Sequence, residues 1–535
     1  MLFTHFHDIL PGSNMQDSRE YAMGLFQEAM AVANTQYGKA MQAITDRIDT
    51  SCIAAEEDPD SQSEGSGTGY GLTYFAGVPN PERGLGKTRV CHVFNPSAHP
   101  RREPVEVTLW DWTGDLRDLM AEDMGGRPMA LQLLDQTQQF FWDHHYVRVL
   151  VDCTVPSCGY TTFVIREGEP QEYRIYYQKD SYRDPAAQPF VLENELIRAE
   201  FDYQNGRMVS LRDLQTGEEL IAAGKSAGLQ CIEAERSSSS AWAIGKYTDF
   251  HSELQLISIH PLTSGTLRQS FTAEYKVRNS TVKATVSLDA HARGVRYEWE
   301  VDWHEETRTG GQIPVLVYHF PVGYEIQHYL FDVPGGVQAR GPLHLDMPGL
   351  QFGAAISRQR SSVALISTCK YGYRCADQAL NATLIHTAPN PDPYPERGIH
   401  KIVEFVAVEN RDVKSLCEMA YDCNHSMPTQ SGYIHPGDLP ASDSLFSFQC
   451  KDALVSSVTQ TEGGKLLVRF YEINGNQAEA ELTFLRKVRT AAAVDLEGAP
   501  TGIPVRVEKN RVYVAIPPYA LVGMEVSLAE EDAGQ

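Results

Sequence analysis

Apolar and polar positions change rhythm once along this chain. Between 14 and 48, Ala22, Phe26, Ala29, Ala33, Tyr37, Met41, Ile44 and Ile48 recur at steps of three and four, predicting one long amphipathic helix. Such a helix cannot bury its stripe alone, and no second helical pattern of similar length follows. From about 86 onward the period falls to two. Arg89-Val90-Cys91-His92-Val93-Phe94, Val105-Glu106-Val107-Thr108-Leu109-Trp110 and Tyr146-Val147-Arg148-Val149-Leu150-Val151 alternate and end at turn residues. The texture continues through Ala284–Ala290, Val315–Phe320 and Leu466–Phe470 to Arg511–Ile516. The predicted fold class is mainly β: a short N-terminal helical segment followed by stacked β-sandwiches.

Breaks in the pattern divide the chain. Glu56-Glu57-Asp58-Pro59-Asp60 runs into Ser63-Glu64-Gly65-Ser66-Gly67-Thr68-Gly69; acidic flanks and the lack of a preceding apolar strand make this a linker, not a phosphate loop. Prolines and acidic residues from Glu167 through Pro185 suggest a second boundary, and Met427–Pro440 a third. The expected organisation is 1–49 an active-site loop with the helix, 50–85 a linker, 86–170 a small β-sandwich, 188–426 a large β-sandwich and 427–535 a C-terminal β domain. A length of 535 residues suits several such units.

Composition narrows the class. A net charge of −24, spread along the chain, argues against nucleic acid as a partner. No apolar run approaches a membrane span, and MLFTHFHD has neither the basic start nor the apolar core of a signal peptide. The ten cysteines form no C-x-x-C pair and read as free thiols of a reducing compartment, so a cytoplasmic location is expected. Asn279, Asn381 and Asn424 head sequons expected by chance.

Candidate chemistry sits at the start: His5-Phe6-His7-Asp8-Ile9-Leu10-Pro11-Gly12-Ser13. Imidazole and carboxylate suit zinc, yet a structural site takes four ligands and a catalytic one three plus water, more than this stretch supplies. As a spacing alone it is more often a turn leading into a helix. Ser13 and Gln16 make an S-x-x-Q capping box, with Asp17 and Glu20 placed to favour the helix N-terminus.

The order of residues adds to this. HFHDILPGS resembles the histidine-aspartate segment of glycoside hydrolase family 38, the retaining α-mannosidases. Further segments resemble that family in order: Val93-Phe94-Asn95-Pro96, Leu192–Phe201 with Gly206–Asp213, Glu300-Val301-Asp302-Trp303-His304-Glu305, His319-Phe320-Pro321-Val322, Lys370-Tyr371-Gly372-Tyr373 and Pro391–His400. The resemblance implies His7 as a zinc ligand and Asp8 as a contact to the bound sugar. It also implies a large galactose-mutarotase-like super-sandwich. Where the family has Gln or Asn, this chain has His5, which inherits no role. Thr307-Arg308-Thr309-Gly310-Gly311-Gln312 replaces a leucine- and lysine-rich stretch, so no substrate contact carries over there.

The implied reaction is zinc-assisted hydrolysis of α-mannosides with retention, through a carboxylate nucleophile and a second carboxyl as acid. The family takes its nucleophile and remaining zinc ligands from an N-terminal α/β barrel. No catalytic residue is therefore assigned in this sequence, and the missing barrel portion is an expected partner beside the carbohydrate; a homo-oligomer is also possible. The chain alone is expected to be inactive. The alternative is a non-catalytic carbohydrate-binding β-sandwich protein in which His7-Asp8 is a relic. Elsewhere bland readings are favoured. Asp302 and Glu305 point to opposite faces of a strand, as do His144 and His145. Trp110 and Trp112 share a face and could stack on sugar, though sheet packing is the favoured use.

Overall fold

The structure, a computed structural model, describes residues 2–55, 86–135, 137–141, 144–168, 190–249, 254–307, 311–358, 360–409 and 412–529. Most of the expected linker, the boundary at 169–189 and residues 308–310 lie outside them. The predicted helix is α1 (Gln16–Thr45). Its start departs from the expected capping box. Met15 is the N-cap and makes no side-chain bond, because the buried Ser13 instead donates its Oγ to Asp8 Oδ1 at 3.3 Å. Gln16 Nε2 turns to Glu20 Oε1 at 2.8 Å. The predicted stripe is covered only at its ends: Ala22 and Ile48 are buried, whereas Phe26, Tyr37 and Ile44 are 40%, 43% and 36% exposed.

The small sandwich packs two antiparallel sheets. One runs Thr429–Gly432, Thr88–Asn95, Gly159–Glu167, Leu119–Asp123, Pro128–Met129, with Ser442–Ser444 also on Gly159–Glu167. The other holds Arg101–Trp110 against His144–Val155, which also pairs Leu131–Leu133 and Gln139–Phe141. Alternating Val105, Val107, Leu109, Val147, Val149 and Val151 fill the space between, the period read from the sequence. Residues 427–444, expected in the C-terminal β domain, return to this sandwich. Met427 enters its core, Thr429–Gly432 covers the edge of Thr88–Asn95, and the Tyr160 hydroxyl donates to Pro440 O at 2.9 Å.

The large sandwich faces a nine-stranded sheet, whose middle is Ser280–Asp289, Gly294–Trp303, Gly398–Glu409, Ser362–Ser367, with a six-stranded sheet centred on Gly228–Ala234, Ile313–Pro321 and Ala379–His386. A four-stranded sheet, Phe190–Glu193, Ile197–Phe201, Met208–Asp213 and Glu218–Glu219, closes one end of the same core. A helix that the sequence reading missed, α2 (Val413–Asn424), is capped by the Asp412 side chain and buries Leu416 and Ala420 on the outer face of the nine-stranded sheet. Two further four-stranded sheets form the C-terminal sandwich, around Phe446, Phe470, Leu482, Val514 and Met524.

One carboxyl interrupts the large apolar core. Glu404 lies opposite Tyr297 in the sheet register, between the inward-facing Ile402 and Val406, and is 3% exposed. Burial pushes its pKa up to about 8, although the Trp299 Nε1–H, 3.2 Å from Oε2, favours the ionised form. The folded pKa is thus above the unfolded one, so the protein loses stability as pH rises from about 4.5 to about 8 through this group. Denaturant melts of Glu404→Gln should gain on the wild type across that window; parallel curves would show that Glu404 is ionised in the fold.

Candidate functional site

The candidate segment is a run of turns ahead of α1. Leu2–His5 is a short 3₁₀ turn, and Ile9 N and Leu10 N both donate to Phe6 O at 2.9 and 3.1 Å. Gly12 closes the run with a left-handed φ of +76°, which glycine adopts without strain. This geometry leaves the His7 side chain 79% exposed, its Nε2 3.4 Å from Asp8 Oδ2. Asp8 faces inward. Its Oδ1 accepts from Ser13 Oγ and from Trp242 Nε1, each at 3.3 Å.

Trp242 belongs to a loop of the large sandwich that follows Gly228–Ala234. Three sandwich loops converge on the segment. The Tyr371 hydroxyl donates to Leu10 O at 2.8 Å, and burial together with Glu396 pushes its pKa up, keeping it a donor. Arg19 Nη1, on the first turn of α1, donates to Asp392 Oδ2 at 2.7 Å; Asp392 is almost wholly buried. The Trp242 and Asp392 loops are themselves joined, since Ala241 N donates to Asn390 O (3.1 Å) and Asn390 N to Ser240 Oγ (3.2 Å). Trp303 ties in the V-D-W strand by donating Nε1 to Thr387 Oγ1 at 2.9 Å. Two of the quoted segments, Lys370–Tyr373 and Pro391–His400, thus reach the N-terminal segment through Leu10 and Arg19. Trp242 was missed; its one signal is a lone indole, 54% exposed, after the run Ser237–Ser240.

Among the described residues no three His, Cys, Asp or Glu side chains gather where they could hold a metal. His5 and His7 are both exposed on this turn, and one imidazole beside one carboxylate falls short of three or four ligands. These residues alone do not make a zinc site. The other candidates also resolve. Trp110 is 0% exposed, packed against Tyr146 and His144, and Trp112 is 3% exposed in the core of the small sandwich, so neither can stack on sugar. Glu305 is buried, accepting from Asn279 N and Ser280 Oγ, whereas Asp302 is half-exposed beside His304. His144 pairs with Asp111 at 2.8 Å while His145 faces solvent.

Residues 192–394 match the model of the glycosyl hydrolases family 38 C-terminal domain. Over those residues the chain carries the family 38 C-terminal domain. Human alpha-mannosidase 2C1 is 24% identical over 356 residues, 62% of this chain and 33% of that protein. The mouse protein of the same name is 24% identical over 403 residues, 68% of this chain and 36% of that protein. A family 38 protein from Enterococcus faecalis shares the fold over 98% of this chain and 65% of that one, with a TM-score of 0.76 at 15% identity. An alpha-mannosidase from Enterococcus faecalis V583 gives 0.71 at 14% identity, over 98% of this chain and 62% of that one. The chain thus spans about a third of the curated relatives and under two thirds of the structural ones.

Among the described residues, the Arg19–Asp392 ion pair ties the first turn of α1 to the large sandwich. In Arg19→Ala, amides of Phe6–Asn14 should exchange about two- to five-fold faster, with melting of the β sandwiches unchanged. Unchanged exchange would show that the other contacts suffice to hold the segment.

Proposed function

We propose that this family 38 portion forms the β-rich side of a retaining α-mannosidase and is inactive until an α/β barrel meets its N-terminal segment. The observation that carries the reading is the placement of Asp8, held by Trp242 and Ser13 at the meeting point of three sandwich loops. A carboxylate fixed by two donors is a preorganised acceptor for sugar hydroxyls, the role expected of Asp8. Trp242 orients that carboxylate and leaves much of its ring free to line the sugar. His7, pointing away from the sandwich, is placed to give one imidazole to a zinc ion whose other ligands lie on polypeptide beyond these residues.

The nucleophile and the acid are assigned to that barrel. Asp8 is already committed to Trp242 and Ser13, which suits a binding carboxylate rather than the nucleophile. No described helix is long and apolar enough to cross a membrane. All ten cysteines are free thiols, which supports a reducing, cytoplasmic setting as part of the proposal.

Assayed on 4-nitrophenyl α-mannoside, the purified 535-residue chain should give no hydrolysis above the buffer blank. With the barrel polypeptide joined to it, hydrolysis should appear with retained anomeric configuration by NMR, and His7→Ala should remove it. Hydrolysis by the chain alone, lost on His7→Ala, would falsify the proposal.

A further inference from the structure

The C-terminal sandwich ends in two adjacent turns, far in sequence from the histidine-aspartate segment. One, Asn474-Gly475-Asn476, follows the strand Leu466–Glu472; the other, Pro517-Pro518-Tyr519-Ala520, joins Arg511–Ile516 to Leu521–Leu528. A single carboxylate fixes both. Glu472, fully buried, accepts from the backbone N–H groups of Asn474 (2.8 Å), Gly475 (2.7 Å), Asn476 (3.1 Å) and Tyr519 (2.8 Å). Burial opposes ionisation of Glu472, and these four donors outweigh it, leaving its carboxyl below the ordinary range.

What the carboxylate holds in place is unusual. Ala520 N donates to Pro517 O at 3.2 Å, closing a turn in which Tyr519 takes a left-handed φ of +54°. Glycine or asparagine suits such a position; here a tyrosine stands there and is 73% exposed. Its ring lies across Gly475, where an added Cβ would come within 2.5 Å of Tyr519 Cζ and Oη and push the ring aside. On either side of that glycine, Asn474 Nδ2 and Asn476 Nδ2 both donate to Asp452 Oδ1, at 2.8 and 3.1 Å. These bonds hold the Asp452 carboxyl below the usual range and leave its Oδ2 outside them.

We propose that Tyr519, Asp452, Asn474 and Asn476 form a binding site for a neutral sugar ring. A flat, outward-facing aromatic ring matches the C–H face of a pyranose. Beside it, a preordered carboxylate and two amide oxygens accept from neighbouring hydroxyls. Asp452 disfavours anionic ligands, as does the net charge of −24. The site is separate from the proposed catalytic edge and does not depend on that reading.

The probe is neutral polysaccharide (mannan, β-glucan and amylose) in affinity electrophoresis of the full chain. At least one polymer should retard the wild type. Tyr519→Gly removes the ring but suits the left-handed backbone, so the fold survives, checked by its melting temperature; retardation should weaken roughly tenfold. Asn476→Ala should weaken it in the same direction. Retardation by none of the three polymers would overturn the proposal. So would retardation unmoved by Tyr519→Gly but abolished by Trp242→Ala, which would put the sugar at the histidine-aspartate segment.

Discussion

A backbone clasp positions everything at the N-terminal edge. Where α1 ends, Asp49 N donates to Leu439 O, Leu439 N to Arg47 O and Thr50 N to His435 O, while Ile48 is sealed with Phe94, Tyr160 and Leu439. Ile48 and Thr50 are fully buried, and a buried amide is costly to leave unpaired, so this end of α1 is fixed on the small sandwich. The far end is secured through side chains, by Arg19 on Asp392, Tyr371 on Leu10 and Trp242 on Asp8. The helix therefore acts as a strut from the small sandwich to the loops of the large one. The geometry around Asp8 follows from those two anchorages.

Between the anchorages lies apolar surface with nothing on it. Leu2, Phe3, Phe6, Leu10, Tyr21, Met23 and Val32 are all more than half exposed, on one short segment of a chain whose sandwiches bury their apolar faces thoroughly. Concentrated exposure of this kind marks an interaction surface. It adjoins the segment whose donor set falls short of a zinc site. The proposed barrel, docked on this edge, would cover that surface and complete the donor set together.

The β architecture was legible because alternation at Val105–Trp110 or Arg511–Ile516 reports burial directly, and those strands fall where the period placed them. The capping box was misread because Ser13 has two acceptable uses; an acceptor brought close by the preceding turns won it from the helix terminus. α2 escaped notice because its stripe is short and its cap, Asp412, is one acidic residue among many. The return of 429–444 to the small sandwich is a long-range pairing, and no local pattern encodes it. Of the site, order of residues gave His7 and Asp8 through a family resemblance. Trp242 was invisible, since only the fold brings it to Asp8 across 234 positions.

The claim that this edge is half of a site is tested most directly by counting bound zinc. In a competition titration against a chromophoric chelator, the 535-residue chain should show no tight stoichiometric zinc, and His7→Ala should change nothing at low metal. One tightly held zinc per chain, released by His7→Ala, would contradict the account, because the ligands would then all be present here.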